Sequence, residues 1–536
     1  MTPPSDRDAA RVLTSGPLGH RAQVAVSPHH LASAAGAAIM AAGGNAVDGA
    51  VAVNAVLGVV LPDTCGPGGD LFALVYEPGK ETPSALNASG RAGSGQHASV
   101  LRRAGYDRVP PCSRWAVTVP GCVDGWDSLL DRHGSLPLSE LLAPAIDLAE
   151  NGFPVSSELA QALGDLHGAF TQQRSARPLY PGGVPPAPGD VIRRPDLAQT
   201  LSALASGGRD AFYEGPAGKG ITAATEGAIS PKDLLVKQAE WVTPISIEVF
   251  GKTGWTIPPN SQGYLTLATL WLFEHLEVDA DRADAEFQHA LIEAYRAVAW
   301  ERDELVSDPD SAAIAPDQLL ATDRLAARLR TLRSSSDIGW PNPGAAPGGT
   351  AFMCTRDASG TGVALIQSNF HGVGSGLSAD DTGVFLHDRG AGFSLVAGHA
   401  NEMQPGRRPL HTLSPTVWTE GRRLAAVLGT RGGHYQPQIL AQVAANLFGA
   451  GVPLAEAISA PRWVIEGVGP GTEHSVRLEP AHGEQIAVEL RARGHTVDVT
   501  DMPQAHWGPA SAITIEGEVV TACADSRVDT ASVSTA

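Results

Sequence analysis

SSSDIGWPNPGAAPGG, residues 334–349, runs directly into TAFMCTRDASGTGVALIQSNF, residues 350–370. The first segment cannot hold a helix or a central strand, because proline lacks an amide donor and glycine is too free. It is the clearest tether in the chain. The second segment predicts two strands joined by a Ser-Gly turn near 359–360. A flexible tether therefore ends at a threonine, Thr350, that opens a strand.

Working outward, the Ala-rich stretch from His30 to Gly43 predicts a helix. Gly43-Gly44 closes it, Asn45 caps a second helix, and Pro62 ends that one. Small residues along both imply close packing. LFALVY, residues 71–76, has strand length. Residues 120–152 carry helical periodicity between Gly and Pro punctuation, and 244–258 alternate as strands do. Helices are expected over 284–302, 317–333 and 436–449, with another from Leu454, and 496–523 again reads as strands. The chain divides into a helix-rich part, 1–349, and a strand-rich part, 350–536.

A chain of 536 residues can bury a large core without metals or disulfides. The net charge of -19 argues against a nucleic-acid surface, which needs clustered Lys and Arg. Cys65, Cys112, Cys122, Cys354 and Cys523 are odd in number, widely spaced and free of any CxxC pair, so a disulfide framework or zinc site is not expected. The N-terminal MTPPSDRDAARVLTSG lacks an apolar h-region, and the most apolar stretch, 46–61, is interrupted by Asp48 and Asn54. The expectation is a soluble, cytoplasmic protein with no membrane span.

The boundary carries chemistry. A Thr hydroxyl is a weak nucleophile without an adjacent base, and a chain-terminal Thr has one in its own α-amine. That amine titrates near pH 7.7–8.0, close to working pH. Exposing it requires self-cleavage between Gly349 and Thr350. Gly348-Gly349 leaves the preceding carbonyl unshielded.

Longer motifs surround this point. HHLASAAGAAIMAAGGNAVDGAVAVNAVLGVVLPDTCGPGGDLFALVY (29–76), TVPGCVDGWDSLLDRHG (118–134), LLAPAIDLAENGFPV (141–155), AFYEG (211–215), IPPNSQG (257–263), EAYRAVAWERD (293–303), PGRRPLHTLSPTV (405–417) and LGTRGGHYQPQ (428–438) occur in that order. Together with the segment at 350 they resemble the gamma-glutamyltranspeptidase family over roughly residues 22–531. The resemblance implies an α+β fold, a four-layer αββα sandwich of the N-terminal-nucleophile hydrolases. It implies cleavage into a large subunit, 1–349, and a small subunit, 350–536, intertwined as one domain, with a dimer of such heterodimers as a further option. Thr350 would be the nucleophile, Gly432 and Gly433 the oxyanion-hole amides, and Ser368 a hydroxyl assisting Thr350. No metal or organic cofactor is implied.

The substrate contacts depart from the transpeptidase pattern. ASGRAG places Ser89 where the family carries a carboxylate-binding Arg, with Arg91 two residues on, on the same strand face. HDRGAGFS puts Arg389 and Gly392 where the family grips an ammonium, which favours an anionic ligand instead. His411 and Thr412 replace paired serines. The loop from Phe393 to Pro409 is shorter than in lid-bearing transpeptidases, which lets water compete as acceptor. These features resemble the oxamate-amidohydrolase-like branch and homologues of antibiotic pathways. Three activities stand open at this level: amide or acyl hydrolysis of a small anionic substrate, gamma-glutamyl hydrolysis or transfer, and hydrolysis of a carbon–carbon bond beside an oxalyl-type group.

Overall fold

The hairpin that starts at Gly349 lies in the middle of a sheet. In the computed structural model, which describes residues 13–278, 281–332, 349–466, 475–501 and 507–536, strands Gly349–Arg356 and Gly362–Phe370 pair antiparallel with Cys354 opposite Ala364. The turn between them is held by Asp357, whose Oδ1 accepts from the Ser359 and Thr361 amides at 2.9 and 3.1 Å. Gly360, at φ 93, supplies the left-handed backbone this turn requires. The tether, 334–348, lies outside the described residues.

The hairpin is flanked on both sides by strands from far earlier in the chain. The seven-stranded sheet runs Glu240–Val242, Ser84–Ala88, Asp70–Tyr76, Gly362–Phe370, Gly349–Arg356, Val24–Ser27 and Ser532–Thr535. A second sheet runs Leu13–Thr14, Val519–Ala524, Ala510–Glu516, Arg423–Thr430, Thr416–Glu420, Lys252–Thr256 and Ile245–Val249, with Leu18–Gly19 paired to Val519–Ala524. Both sheets are therefore built from residues on either side of the boundary at 349–350.

Period-two alternation sorts the side chains into layers. Phe352 and Cys354 face the space between the sheets, where they meet Phe72, Leu74, Val417, Val427 and Ile513. Ala351 and Met353 face the opposite way, into a helical layer that includes His30–Ala41, Ala46–Val60 and Leu138–Asn151. Helices Tyr264–Glu274, Ala285–Ala299 and Gln436–Ala444 cover the outer face of the second sheet. The result is the expected four-layer αββα sandwich.

Local chemistry accounts for the first helical layer. Asn45 caps Ala46–Val60 with a full capping box through Asp48. The small residues allow contact between helices: a Cβ on Gly36 would sit 2.4 Å from Val53 Cγ2 and 3.1 Å from the Gly49 carbonyl. One expectation needs correction. Residues 317–333 form no single helix but a 3₁₀ turn, Pro316–Leu320, and a helix, Thr322–Leu329, separated by extended Ala321 (φ -60, ψ 127). In a continuous helix Leu320 and Leu325 would point about 140° apart; the break lets Leu319, Leu320 and Leu325 all reach the core. The five cysteines are free, and four of them are buried. No helix of the described residues is long and apolar enough to cross a membrane.

Candidate active site

Thr350 is 1% exposed and sits at a register shift: Gly349 pairs with Phe370 and Ala351 with Gln367. Such a bulge re-aims a side chain. Thr350 Oγ1 donates to Ser368 Oγ at 3.2 Å, and Ser368 Oγ donates to the Gly349 carbonyl at 2.6 Å. The Phe370 amide donates to the same Ser368 oxygen at 2.8 Å. One hydroxyl thus joins the Thr350 hydroxyl to the carbonyl of the peptide bond that precedes it. Gly349 is required sterically as well: a Cβ there would come within 2.8 Å of the Asp63 carbonyl and 3.2 Å of Thr64 Cα.

Strand pairing brings Asp70 opposite Ser368. Asp70 Oδ1 accepts from the Gly90 amide at 2.9 Å, and Oδ2 from His411 Nε2 at 3.1 Å. His411 Nδ1 accepts from the Leu413 amide at 3.3 Å, so the ring proton lies on Nε2. Burial, then Arg389, holds His411 down at about 3, so it is neutral at working pH. Burial alone would raise Asp70, but His387 and His411 outweigh it and hold the carboxyl at about 2. Asp70 is therefore an ionised anchor, and both nitrogens of His411 are engaged.

Arg389, 1% exposed, begins the 3₁₀ turn Arg389–Gly392. Its guanidinium lies 3.6 Å from the centroid of the Phe370 ring, a cation–π stack. Nη1 donates to Thr412 Oγ1 at 3.3 Å, while Nη2 is buried without a partner. Burial lowers the guanidinium to about 10, against the pull of Asp70 and Asp388, so the group stays charged. Phe370 itself takes φ 77, unusual for a side chain of this size, as the strand ends.

Gly432 and Gly433, at φ 125 and 55, form the turn between strand Arg423–Thr430 and helix Gln436–Ala444. Gln262 ties this turn to the segment that carries His411 and Thr412, since its Nε2 donates to the Gly433 carbonyl at 3.1 Å and the Thr412 carbonyl at 3.0 Å. Beside Gly349 lies an acidic pair. Asp63 is pushed up to about 7 by burial and by Glu158, with Arg431 opposing, and Glu158 in turn forms an ion pair with Arg431.

The sequence-derived candidates separate into two groups. Thr350, Ser368 and Gly349 meet directly, and Arg389 and Thr412 meet each other over Phe370. Arg91 and Ser89 are engaged elsewhere. Ser89 Oγ donates to Asn87 Oδ1 at 2.7 Å, and Arg408 Nη1 donates to the Ser89 carbonyl. Arg91 Nη2 forms an ion pair with Glu240 at 3.0 Å, and both line a cavity of about 700 Å³ together with Asn87, Asp308 and Arg408. Gly392 lies beside the Leu410 carbonyl. Sequence reading missed Asp70, Asp63, Arg302 and His434. Asp70 had a signal, being the acid at the head of an otherwise apolar strand; Arg302 and His434 lay inside the motifs EAYRAVAWERD and LGTRGGHYQPQ, with nothing local to single them out. The fold also gathers His289, Glu293 and His495, whose donor atoms lie close enough together to hold a metal ion; His289 and Glu293 share a helix face, and only His495 comes from far along the chain. There the two rings hydrogen-bond to each other at 2.8 Å and Glu293 pairs with Arg296 at 2.6 Å.

Known proteins share this architecture. The gamma-glutamyltranspeptidase family model matches residues 32–535. The glutathione hydrolase-like YwrD proenzyme of Bacillus subtilis is 34% identical over 522 residues, covering 95% of this chain and 98% of that one. The oxamate amidohydrolase proenzyme of Klebsiella pneumoniae is 36% identical over 501 residues, covering 91% and 94%. Cephalosporin acylase from Bacillus halodurans superposes with a TM-score of 0.89 at 31% identity, covering 100% of this chain and 98% of that structure. With its fold, its full-length match and these relatives in agreement, the chain belongs to the gamma-glutamyltranspeptidase family, a family of hydrolases, acylases and transferases.

Proposed function

We propose that the chain is a self-processing hydrolase that cleaves an amide or acyl bond of a small anionic substrate through Thr350. The observation that carries this reading is the line from Thr350 Oγ1 through Ser368 Oγ to the Gly349 carbonyl oxygen. In maturation the Thr350 oxygen bonds to the Gly349 carbonyl carbon, the C–N bond breaks, and the departing nitrogen takes the hydroxyl proton. Ser368 polarises the carbonyl and stabilises charge on its oxygen. Water then hydrolyses the ester, leaving a Gly349 carboxylate, a free hydroxyl and a free amine. The products are a large subunit, 1–349, and a small subunit, 350–536. The relatives named as proenzymes support this step.

In turnover the new amine accepts the Thr350 proton as the oxygen attacks the substrate carbonyl. The Gly432 and Gly433 amides receive the developing oxyanion, a contribution of about 2.7–4 kcal/mol per donor. The leaving group takes the proton, and water, deprotonated by the same amine, frees the acyl group. Arg389, charged and with an unused nitrogen, supports an anionic substrate. The relative named oxamate amidohydrolase supports the same class.

The test is direct. Purified protein should give two bands on a denaturing gel, the smaller beginning TAFMC, and should release ammonia from oxamate. An intact chain that still turns over, or an active Thr350→Ala variant, would falsify the reading. The likeness to a glutathione hydrolase-like proenzyme favours a second activity on gamma-glutamyl compounds. That reading predicts p-nitroaniline release from gamma-glutamyl-p-nitroanilide, accelerated by Gly-Gly, and fails if neither is seen.

A further inference from the structure

Two buried hydrogen-bond donors without acceptors lie around one ring. Arg389 Nη2 is the first, and His434 Nε2 is the second. His434 immediately follows the Gly432-Gly433 turn, and its ring meets Phe370 edge-on at 6.3 Å, while the Arg389 guanidinium covers Phe370 at 3.6 Å. Phe370 is the register partner of Gly349, so both donors flank the residue opposite the Gly349–Thr350 bond.

The proton on His434 has a defined place. Arg302 Nη1 stands 2.9 Å from His434 Nδ1. A guanidinium only donates, so Nδ1 must accept and the ring hydrogen must sit on Nε2. Burial, with Arg302 and Arg389 adding to it, holds His434 well below its ordinary range, so this is a neutral N–H donor. Arg302 is itself anchored by Asp303, its Nε donating to Oδ1 at 2.8 Å.

The nearby acids do not use these donors. Asp388 accepts from the His371 amide at 3.0 Å and from His371 Nδ1 at 2.7 Å. Asp70 is engaged by Gly90 and His411. A buried N–H left unmade is costly, and two of them beside one ring call for a shared acceptor. A carboxylate offers two oxygens, one for each.

The geometry points to a two-pronged carboxylate site in which Arg389 Nη2 and His434 Nε2 each bind one substrate oxygen, with Arg302 as a positioning residue that fixes the His434 proton. This site deepens the function proposed above and rests on that reading for its relation to Thr350. The substrate class is an acyl compound small enough to carry its own carboxylate beside the scissile carbonyl. Its neutral carboxamide analogue, which repels Arg389 through its own N–H groups, is excluded.

The experiment measures oxalate binding to the purified full chain by calorimetry, for wild type, His434→Phe, His434→Gln and Arg302→Met. His434→Phe should weaken oxalate by ~10- to 100-fold, the range for a hydrogen bond to a charged group. His434→Gln keeps a donor near the Nε2 position and should restore most of the loss. Nitrogen NMR of labelled histidine should show His434 protonated on Nε2, lose that preference in Arg302→Met, and shift when oxalate is added to wild type. Equal oxalate affinity in wild type and a folded His434→Phe overturns the site. Absence of the oxalate-induced shift in wild type overturns it too, and needs no variant to fold. A chain that stays a single band yet binds oxalate in a His434-dependent way keeps this site and sinks self-processing; two bands with oxalate affinity indifferent to His434 do the reverse.

Discussion

Around Arg389 a guanidinium nitrogen is buried with nothing to hold, whereas Arg91 and Arg408 both reach Glu240 on the wall of a separate cavity. The first region keeps an unmatched hydrogen-bond donor near the candidate nucleophile, with Asp70 and Asp388 close enough to act on its charge. In the second, charge is already answered by charge. A positive side chain in a cleft is therefore a poor sign of an anion site by itself. What sets the first region apart is that two unmatched donors, Arg389 Nη2 and His434 Nε2, lie around one ring.

Four outcomes would break or sharpen that contrast. Thr350→Ala should stay one band on a gel and lose at least ~10⁴-fold in turnover, because the proposed nucleophile and its base vanish together. Arg389→Leu should cut kcat/KM for a carboxylate substrate by ~100-fold, mostly through KM, with processing intact; a loss of less than threefold would erase the contrast. Asp63 offers a pH test on the same side of the molecule. Its pKa, raised by burial to about 7 from 3.8, means the native state binds this proton more tightly than the unfolded state. The associated stability is full below pH 4, declines as pH rises, and is gone above 7. Asp63→Asn should thus melt with wild type near pH 4 but ~2–5 °C higher at pH 8; a gap that grows toward acid would reverse the assigned direction. The smallest effect belongs to Arg91→Ala. A partly exposed ion pair contributes about 0–1 kcal/mol, so both melting temperature and kcat/KM should change little.

Most of the framework was legible before any coordinates. Asn45 as a cap, the hairpin at 350–370 and the close-packed small-residue helices all follow from local rules, and local rules suffice when capping, turn and periodicity agree. The candidate nucleophile was legible through its motif and its tether. The choice between arginines was not. Arg91 shares a strand-like spacing with Ser89, but Arg408, more than 300 residues later, bonds to the Ser89 carbonyl while Glu240 takes Arg91. Register within a segment says which face a residue occupies; only tertiary packing says what already waits there. The split helix at 317–333 failed for the same reason, since its leucines satisfy the core only through a break at Ala321.

The placement of the outermost strand of the seven-stranded sheet has an engineering consequence. Ser532–Thr535 pairs with Val24–Ser27, so Thr535 faces Val24 and the last strand described lies beside one of the first. A peptide joining residue 536 to the start of the sequence, with the chain reopened before Thr350, would give a circular permutant that keeps the strands Leu13–Thr14 and Leu18–Gly19. After removal of the initiator methionine it would carry its threonine amine from birth. Such a protein would uncouple the proposed maturation from turnover, so the demands of the proposed backbone cleavage could be measured apart from those of breaking a substrate.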